Sequence, residues 1–243
     1  MTQNIYDDPG FFENYGKLRR SVEGLGGAPE WPALRAMLPG LRGARIVDLG
    51  CGFGWFCRYA REQGAASVLG VDISRNMLAR AEKMTSDDAI RYEHADLESL
   101  ALPAAAFDLA FSALALHYVE HLAELLATVH DALTPGGRFV FSAEHPVYTA
   151  PTHPAWRIDE HGRRAWPLDR YLVEGPRTTD WLAEGVVKQH RLLGAYLNLL
   201  IETGFTIRRV EEFRPTEAQI EERPELAEEL DRPMFVLVSA DRA

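Results

Sequence analysis

Ile46-Val47-Asp48-Leu49-Gly50-Cys51-Gly52-Phe53-Gly54 is the stretch that decides how the rest of the chain reads. Residues 45–49 form a short, mostly apolar run, the pattern of a buried strand. Residues 55–63 carry a helical pattern. Three glycines at alternate positions fill the turn between them. There a missing Cβ admits unusual backbone angles and lets a ligand lie directly on the main chain. A second apolar run, residues 67–71, leads to Asp72, 22 positions past Gly50. In a nucleotide-binding strand–turn–helix unit, that position carries the carboxylate that meets ribose hydroxyls.

The glycine spacing restricts the ligand. A dinucleotide turn reads G-x-G-x-x-G and needs Gly or Ala at position 55 when counted from Gly50; Trp55 stands there instead. The pattern present is D-x-G-x-G-x-G.

The 243 residues fit one large domain or a domain with an insertion. A net charge of -10 disfavours a nucleic-acid or anionic-membrane partner, both of which need a basic face, although a local basic groove is compatible with it. No apolar run reaches the length of about 18 residues expected of a membrane-spanning helix, and the polar, acidic first residues are unlike a secretory signal. The two cysteines, Cys51 and Cys57, make no disulfide framework and fit a reducing, cytoplasmic setting. Both read as packing residues.

Strand and helix patterns alternate through the first half of the chain, which predicts an α/β fold: a parallel sheet with helices on both faces. Residues 11–25 read as an amphipathic helix and 29–38 as a second. Strands are expected at 45–49, 67–71, 89–94, 107–113 and 138–143. Ser74 reads as the cap of a helix carrying Met77 and Leu78, and residues 120–133 as another helix. From 144 to about 188 the chain is rich in Pro, His, Trp, Tyr and Arg without a period, too long for an ordinary loop and so expected to be functional. A helix at 191–203 and strands at 205–212 and 233–239 complete the pattern.

With the strand order in place, the chain resembles the class I S-adenosylmethionine-dependent methyltransferases, and within them an uncharacterised small-molecule branch. The likeness runs over nearly the whole chain at the level of element order. It is specific at the glycine turn, at Asp72, at Ala95-Asp96-Leu97, at Phe107-Asp108-Leu109 and at Leu133-Thr134-Pro135-Gly136-Gly137, while His190-Arg191, near the start of the late helix, resembles the small-molecule branch. It implies a Rossmann-like, seven-stranded, mostly parallel sheet whose last strand is antiparallel and lies beside the fifth. The expected organisation is a single domain: an N-terminal helical cap at 1–42, a core at 43–144 and 190–243, and a substrate lid inserted at 145–189.

The cofactor implied is S-adenosylmethionine, leaving as S-adenosylhomocysteine. Asp72 has two oxygens for two ribose hydroxyls. Asp96 and Leu97 would face the adenine, and Ile73 and Met77 would line adenine or ribose, Met77 reading equally as core. Gly50, Cys51 and Gly52 would present the backbone to the methionine end, and Asp48 would hold its amino group, directly or through water. Ser112, Ala113 and Leu114 would lie beside the cofactor. The resemblance also suggests that the N-terminal helix closes over the cofactor, with Tyr15 near the sulfonium and Arg19 near the carboxylate; a docking helix with Tyr15 in the core reads equally well.

Methyl transfer demands alignment and exclusion of water more than proton chemistry. A general base is needed only if the acceptor holds its proton at neutral pH. Candidates follow the fourth and fifth strands: His117, Tyr118 and His145, each histidine reading either as base or substrate ligand or as a structural group. His117 and His121 are half of a metal pair in the order H-x-x-E-H, read here as coincidence, so no metal is expected. Tyr148, Tyr171, Trp181, His190 and Arg191 would form the acceptor lid, or a structural arm packed on the sheet or on a second subunit. The expected partner is a small-molecule acceptor, with no nucleic acid and no membrane, on a monomer or homodimer. The competing readings are a tRNA or protein methyltransferase, a catalytically silent cofactor-binding module, and a nicotinamide oxidoreductase.

Overall fold

The computed structural model describes residues 2–243. In chain order the N-terminal helices are α1 (Pro9–Tyr15), α2 (Arg19–Val22) and α3 (Trp31–Ala36). The alternating core follows as β1 (Arg45–Leu49), α4 (Trp55–Glu62), β2 (Ser67–Asp72), α5 (Arg75–Lys83), β3 (Ile90–His94), β4 (Phe107–Ala113), α6 (Leu122–Ala132) and β5 (Leu133–Glu144). Next come α7 (Pro146–Thr149), β6 (Arg157–Ile158), β7 (Arg164–Ala165), β8 (Gly175–Trp181) and β9 (Ala183–His190). The chain closes with α8 (Leu193–Thr203), β10 (Phe205–Glu212), α9 (Glu217–Glu222) and β11 (Phe235–Arg242).

Seven strands make one sheet in the order β10-β11-β5-β4-β1-β2-β3. Strands β1 to β5 are mutually parallel, and β11 runs antiparallel between β5 and β10. This is the expected Rossmann-like sheet. Its strand order reverses between β1 and β4, and a crevice opens at the carboxyl ends of strands at such a reversal. The period-2 alternation of β1 sorts its side chains between two cores. Val47 and Leu49 join the layer holding Leu122, Leu126, Val129 and Leu200 of α6 and α8. Ile46 joins the opposite layer with Leu34, Phe56 and Cys57 of α3 and α4. Asp48 shares the face of Ile46 and so falls beneath α4.

Two expectations about local structure are corrected. The helix expected at 11–25 is broken: α1 ends at Tyr15 and α2 begins at Arg19, because Leu18 is extended at ψ 146°. The stretch expected to lack regular structure contains two antiparallel hairpins, β6–β7 and β8–β9. The second turns tightly at Leu182, whose φ is +61°; a left-handed leucine is an uncommon turn residue and gave no signal. None of the helices among the described residues is long and apolar enough to cross a membrane.

Candidate active site

The glycine turn is clamped to its neighbour strand. The N–H groups of Gly50 and Cys51 both donate to the carbonyl of Val71, at 2.9 and 3.0 Å. Gly50 and Gly52 lie at φ +73° and +52°, in the left-handed region that favours glycine. A Cβ on Gly50 would collide with Ala115, whereas one on Gly52 would meet nothing within 4 Å. The ledge is therefore packed below and open above.

Asp72 sits against this ledge. Its Oδ2 accepts from the Gly52 N–H at 2.8 Å and its Oδ1 from the Ser74 N–H at 2.8 Å. Each oxygen keeps a lone pair for a ligand hydroxyl. Burial pushes its carboxyl up, and these two N–H groups oppose that shift. Ser74 caps α5 by accepting from the Met77 N–H, and Asp7 accepts in turn from the Ser74 hydroxyl and the Asn76 N–H. The N-terminal segment is thus tied down beside the ledge.

A cavity of about 350 Å³ lies over the carboxyl ends of β1, β2, β4 and β5. Among its walls are Gly50, Gly52, Asp72, Ile73, Met77, Asp96, Leu97, Ala113, Leu114, His117, Tyr118, Tyr148 and Trp181, together with Tyr15 and Arg19. A smaller space of about 100 Å³ shares Tyr15, Arg20, Gly50, Gly52 and Ala113 with it, and adds Asp48 and Cys51. Burial raises the Asp48 carboxyl to about 7, partly offset by the Cys57 thiol, which donates to its Oδ2 at 3.2 Å. Asp96 caps the short turn after β3 by accepting from Glu98 N–H, and its Oδ2 accepts from the Thr2 hydroxyl at 2.5 Å.

Several residues expected in the site are placed elsewhere or play another part. The Ser112 hydroxyl is buried and donates to the Leu49 carbonyl at 2.9 Å, locking β4 to β1 rather than facing the cavity. Arg19 lies at the cavity edge, half exposed, and pairs with Glu23 and Glu222. The more enclosed arginine is the partly buried Arg20, which holds the Glu30 carboxylate at 3.0 and 3.2 Å and lines both spaces. Sequence reading passed over Arg20 because an unbroken helix through 11–25 places Arg19 on the face of Tyr15. The break at Leu18 resets that face.

The two histidines divide. His145 lies outside the cavity walls with both ring nitrogens engaged: Nδ1 accepts from Val147 N–H at 3.0 Å, and Nε2 lies 2.9 Å from Glu212 Oε1. It caps α7 rather than serving as a base. His117 faces the cavity and is buried. Its Nδ1 accepts from Glu144 N–H at 3.3 Å, so the neutral ring carries its proton on Nε2. Burial, reinforced by Lys188 and Arg191, holds its pKa well below the usual imidazole value. Tyr118 shares a hydroxyl–hydroxyl bond of 3.2 Å with Tyr6, and burial keeps the phenol protonated. His121 turns outward to Glu98 at 3.1 Å, away from His117.

Of the residues expected in the lid, Tyr148 and Trp181 reach the cavity. Tyr171 and His190 do not; they meet each other and Thr149, with His190 Nε2 2.8 Å from the Tyr171 carbonyl. Arg191 is spent on the carbonyls of Val119 and Glu120. It therefore braces the turn after β4. Residues that sequence reading missed are Tyr6, Glu98 and Lys188; it takes Glu144 only as the neighbour of His145 at the end of the fifth strand. Lys188 is buried and Glu144 nearly so, and the two are joined at 2.5 Å. Only the packing of the β8–β9 hairpin on the end of β5 brings together two residues 44 positions apart.

Comparison with known proteins agrees with this geometry. Residues 47–141 match the model of the methyltransferase domain family. A crystal structure of an S-adenosylmethionine-dependent methyltransferase from Mesorhizobium loti is 68% identical, covers 90% of this chain and 100% of its own, and superposes with a TM-score of 0.88. An uncharacterised protein of Haemophilus influenzae is 36% identical over 217 residues, 86% of this chain and 85% of its own length. The malonyl-[acyl-carrier protein] O-methyltransferase of Enterobacter lignolyticus is 38% identical over 129 residues; the match spans 53% of this chain and about half, 50%, of that relative.

Proposed function

Since the chain belongs to the S-adenosylmethionine-dependent methyltransferases, we propose that it methylates a small-molecule acceptor held in the cavity above Gly50 and Gly52. The donor chemistry fits the residues present. The ledge is open where a ligand main chain or ribose would lie, and the Asp72 carboxylate beside it keeps free lone pairs. Asp72 would take the ribose hydroxyls, the Gly50–Gly52 backbone and Asp48 the amino-acid end, and Arg20 its carboxylate. Bound there, S-adenosylmethionine supplies a methyl group on a sulfonium, already electrophilic enough for direct displacement.

The remaining work falls to this chain. Tyr6, Tyr15, Tyr118, Tyr148 and Trp181 wall the cavity and exclude water, which strengthens every charge interaction inside it. The Nε2–H of His117 offers a fixed donor rather than a proton acceptor. Alignment in this enclosed space is the main contribution the geometry can make.

The partly enclosed cavity is the observation that carries the small-molecule reading. Its volume lies at the low end of the roughly 300–1,000 Å³ typical of small-ligand sites. The N-terminal segment closes it: Gln3 bonds Gly185 and Val187 of the β8–β9 hairpin, and Asn14 bonds the Leu182 carbonyl. A polymer would have to displace these contacts, and the net charge of -10 opposes nucleic acid. The test is release of S-adenosylhomocysteine on incubation with a protein-free metabolite extract, with bulk tRNA and with malonyl-loaded carrier protein. Product is expected from the extract. Product from tRNA or carrier protein alone would overturn the reading.

A further inference from the structure

Glu144 ends β5 and lines the cavity. Its two oxygens have different surroundings. Oε1 accepts from the Lys188 ammonium at 2.5 Å. Oε2 is buried and has no hydrogen-bond partner among the described residues. A dehydrated carboxylate oxygen without a donor is costly, and native structures rarely leave one unless an ordered water or a ligand completes it or the group has a functional role.

The neighbouring donors are committed elsewhere. The Lys188 ammonium is held between Oε1 and two ring faces, 4.7 Å from the Trp181 centroid and 6.0 Å from that of Tyr118. His117 Nε2 lies 3.9 Å from Oε1, too far for a hydrogen bond, and its ring is neutral. The Tyr118 hydroxyl accepts from Tyr6 and makes no hydrogen bond to Glu144 among the described residues.

Charge around the cavity points the same way. Among the described residues, its two arginines are both paired, Arg19 with Glu23 and Glu222 and Arg20 with Glu30. Lys188 is paired with Glu144 itself. Asp72, Asp96 and Glu98 add negative charge to the same walls. An anionic acceptor would meet carboxylates and find Lys188 matched by Glu144 and Arg19 by Glu23 and Glu222, with Arg20 held by Glu30 and taken up by the cofactor carboxylate.

We infer that Glu144 Oε2 is the acceptor-recognition atom: it accepts a hydrogen bond from an O–H or N–H of an uncharged acceptor, packed among Tyr6, Tyr118, Tyr148 and Trp181, and it rejects carboxylates and phosphates. This rests on the reading of the cavity as the methyl-transfer site. It sets the acceptor apart from a free carboxylate of the malonyl kind and makes Glu144 the specificity determinant.

Phenol, fluorobenzene and benzoate are size-matched probes that differ at one substituent. Their binding is measured by saturation-transfer NMR on the enzyme loaded with S-adenosylhomocysteine, after calorimetry has established that loading. Phenol is expected to bind at least about 10-fold tighter than fluorobenzene or benzoate. Glu144→Gln strands the Lys188 charge, so the neutral pair variant Glu144→Gln/Lys188→Met is tested beside it. That variant should take up S-adenosylhomocysteine as the parent does and lose the preference for phenol. Benzoate binding equal to phenol, no phenol binding, or a preference that survives in the pair variant would each overturn the inference while leaving the methyltransferase reading intact. Failure of the parent protein to take up S-adenosylhomocysteine would overturn both.

Discussion

The backbone N–H of Glu144 donates to Nδ1 of His117 across 3.3 Å, and this bond fixes the imidazole as an Nε2–H donor. A ring so held can orient an acceptor, but it cannot take a proton at the nitrogen that remains free. Burial also keeps it neutral across the physiological range. The pH–rate profile should therefore lack a limb near the usual imidazole value of about 6.5. His117→Ala should slow turnover about 10-fold, the loss of one positioned hydrogen bond, and leave calorimetric affinity for S-adenosylhomocysteine unchanged. A limb near pH 6–7 that vanishes in the variant would mark His117 as a base.

Asp72 satisfies two backbone N–H groups and retains capacity for two more donors. Asp72→Asn keeps the shape but replaces one acceptor oxygen by a donor and removes the charge. Cofactor affinity should fall at least about 10-fold, since hydrogen bonds to a charged group are worth roughly 1.5–3 kcal/mol each. Calorimetry gives the affinity, and thermal unfolding of the free protein separates that loss from a change in stability.

Asp48 gives the pH dependence. Burial first, and the nearby Asp72 charge, raise its carboxyl to about 7 in the folded protein, from an ordinary 3.8. A group whose pKa is raised on folding stabilises the fold below its unfolded value, and that stability is lost as pH rises from about 4 through about 7. The difference corresponds to roughly 4 kcal/mol at most, at 1.36 kcal/mol per pH unit. Asp48→Asn should flatten this slope in denaturant titrations at pH 5 and pH 8. If ionised Asp48 holds the cofactor amino group, affinity should rise between pH 6 and pH 8, with proton uptake by the buffer on binding.

Arg20, rather than Arg19, is expected to meet the cofactor carboxylate. Arg19→Gln should leave cofactor affinity unchanged, because its guanidinium pairs with Glu23 and Glu222 at the surface. Arg20→Gln alone would strand the buried Glu30, a loss of about 3–5 kcal/mol in stability. The informative variant is therefore Arg20→Gln/Glu30→Gln, which should weaken cofactor binding in calorimetry while melting close to the parent.

What could be read from the sequence is local. The turn from β1 to α4, Asp72 at the end of β2, and the Ser74 cap are each written in fewer than ten consecutive residues, with periodicity and glycine spacing to mark them. The succession of strands along the chain followed from the alternation of runs, and the place and direction of the last strand from the family resemblance alone. Features set by tertiary contact were not legible. Glu144 and Lys188 meet only through the sheet and the β8–β9 hairpin. The face of the N-terminal arginines depends on one extended residue, Leu18. Tyr148 and Trp181 reach the cavity while Tyr171 and His190 pack outside it against each other, a division set by how helix, loop and hairpin pack and marked by no spacing in the sequence. A composition rich in aromatics identified the segment but not the members that point inward.

The most direct measurement is a crystal structure of the protein with S-adenosylhomocysteine. The ribose hydroxyls should lie within hydrogen-bond distance of the Asp72 carboxylate, with the amino-acid end over Gly50 and Gly52 and the sulfur facing the space between Tyr118 and Glu144. A ligand bound away from Asp72, or no ligand on the glycine ledge at saturating concentration, would contradict the account.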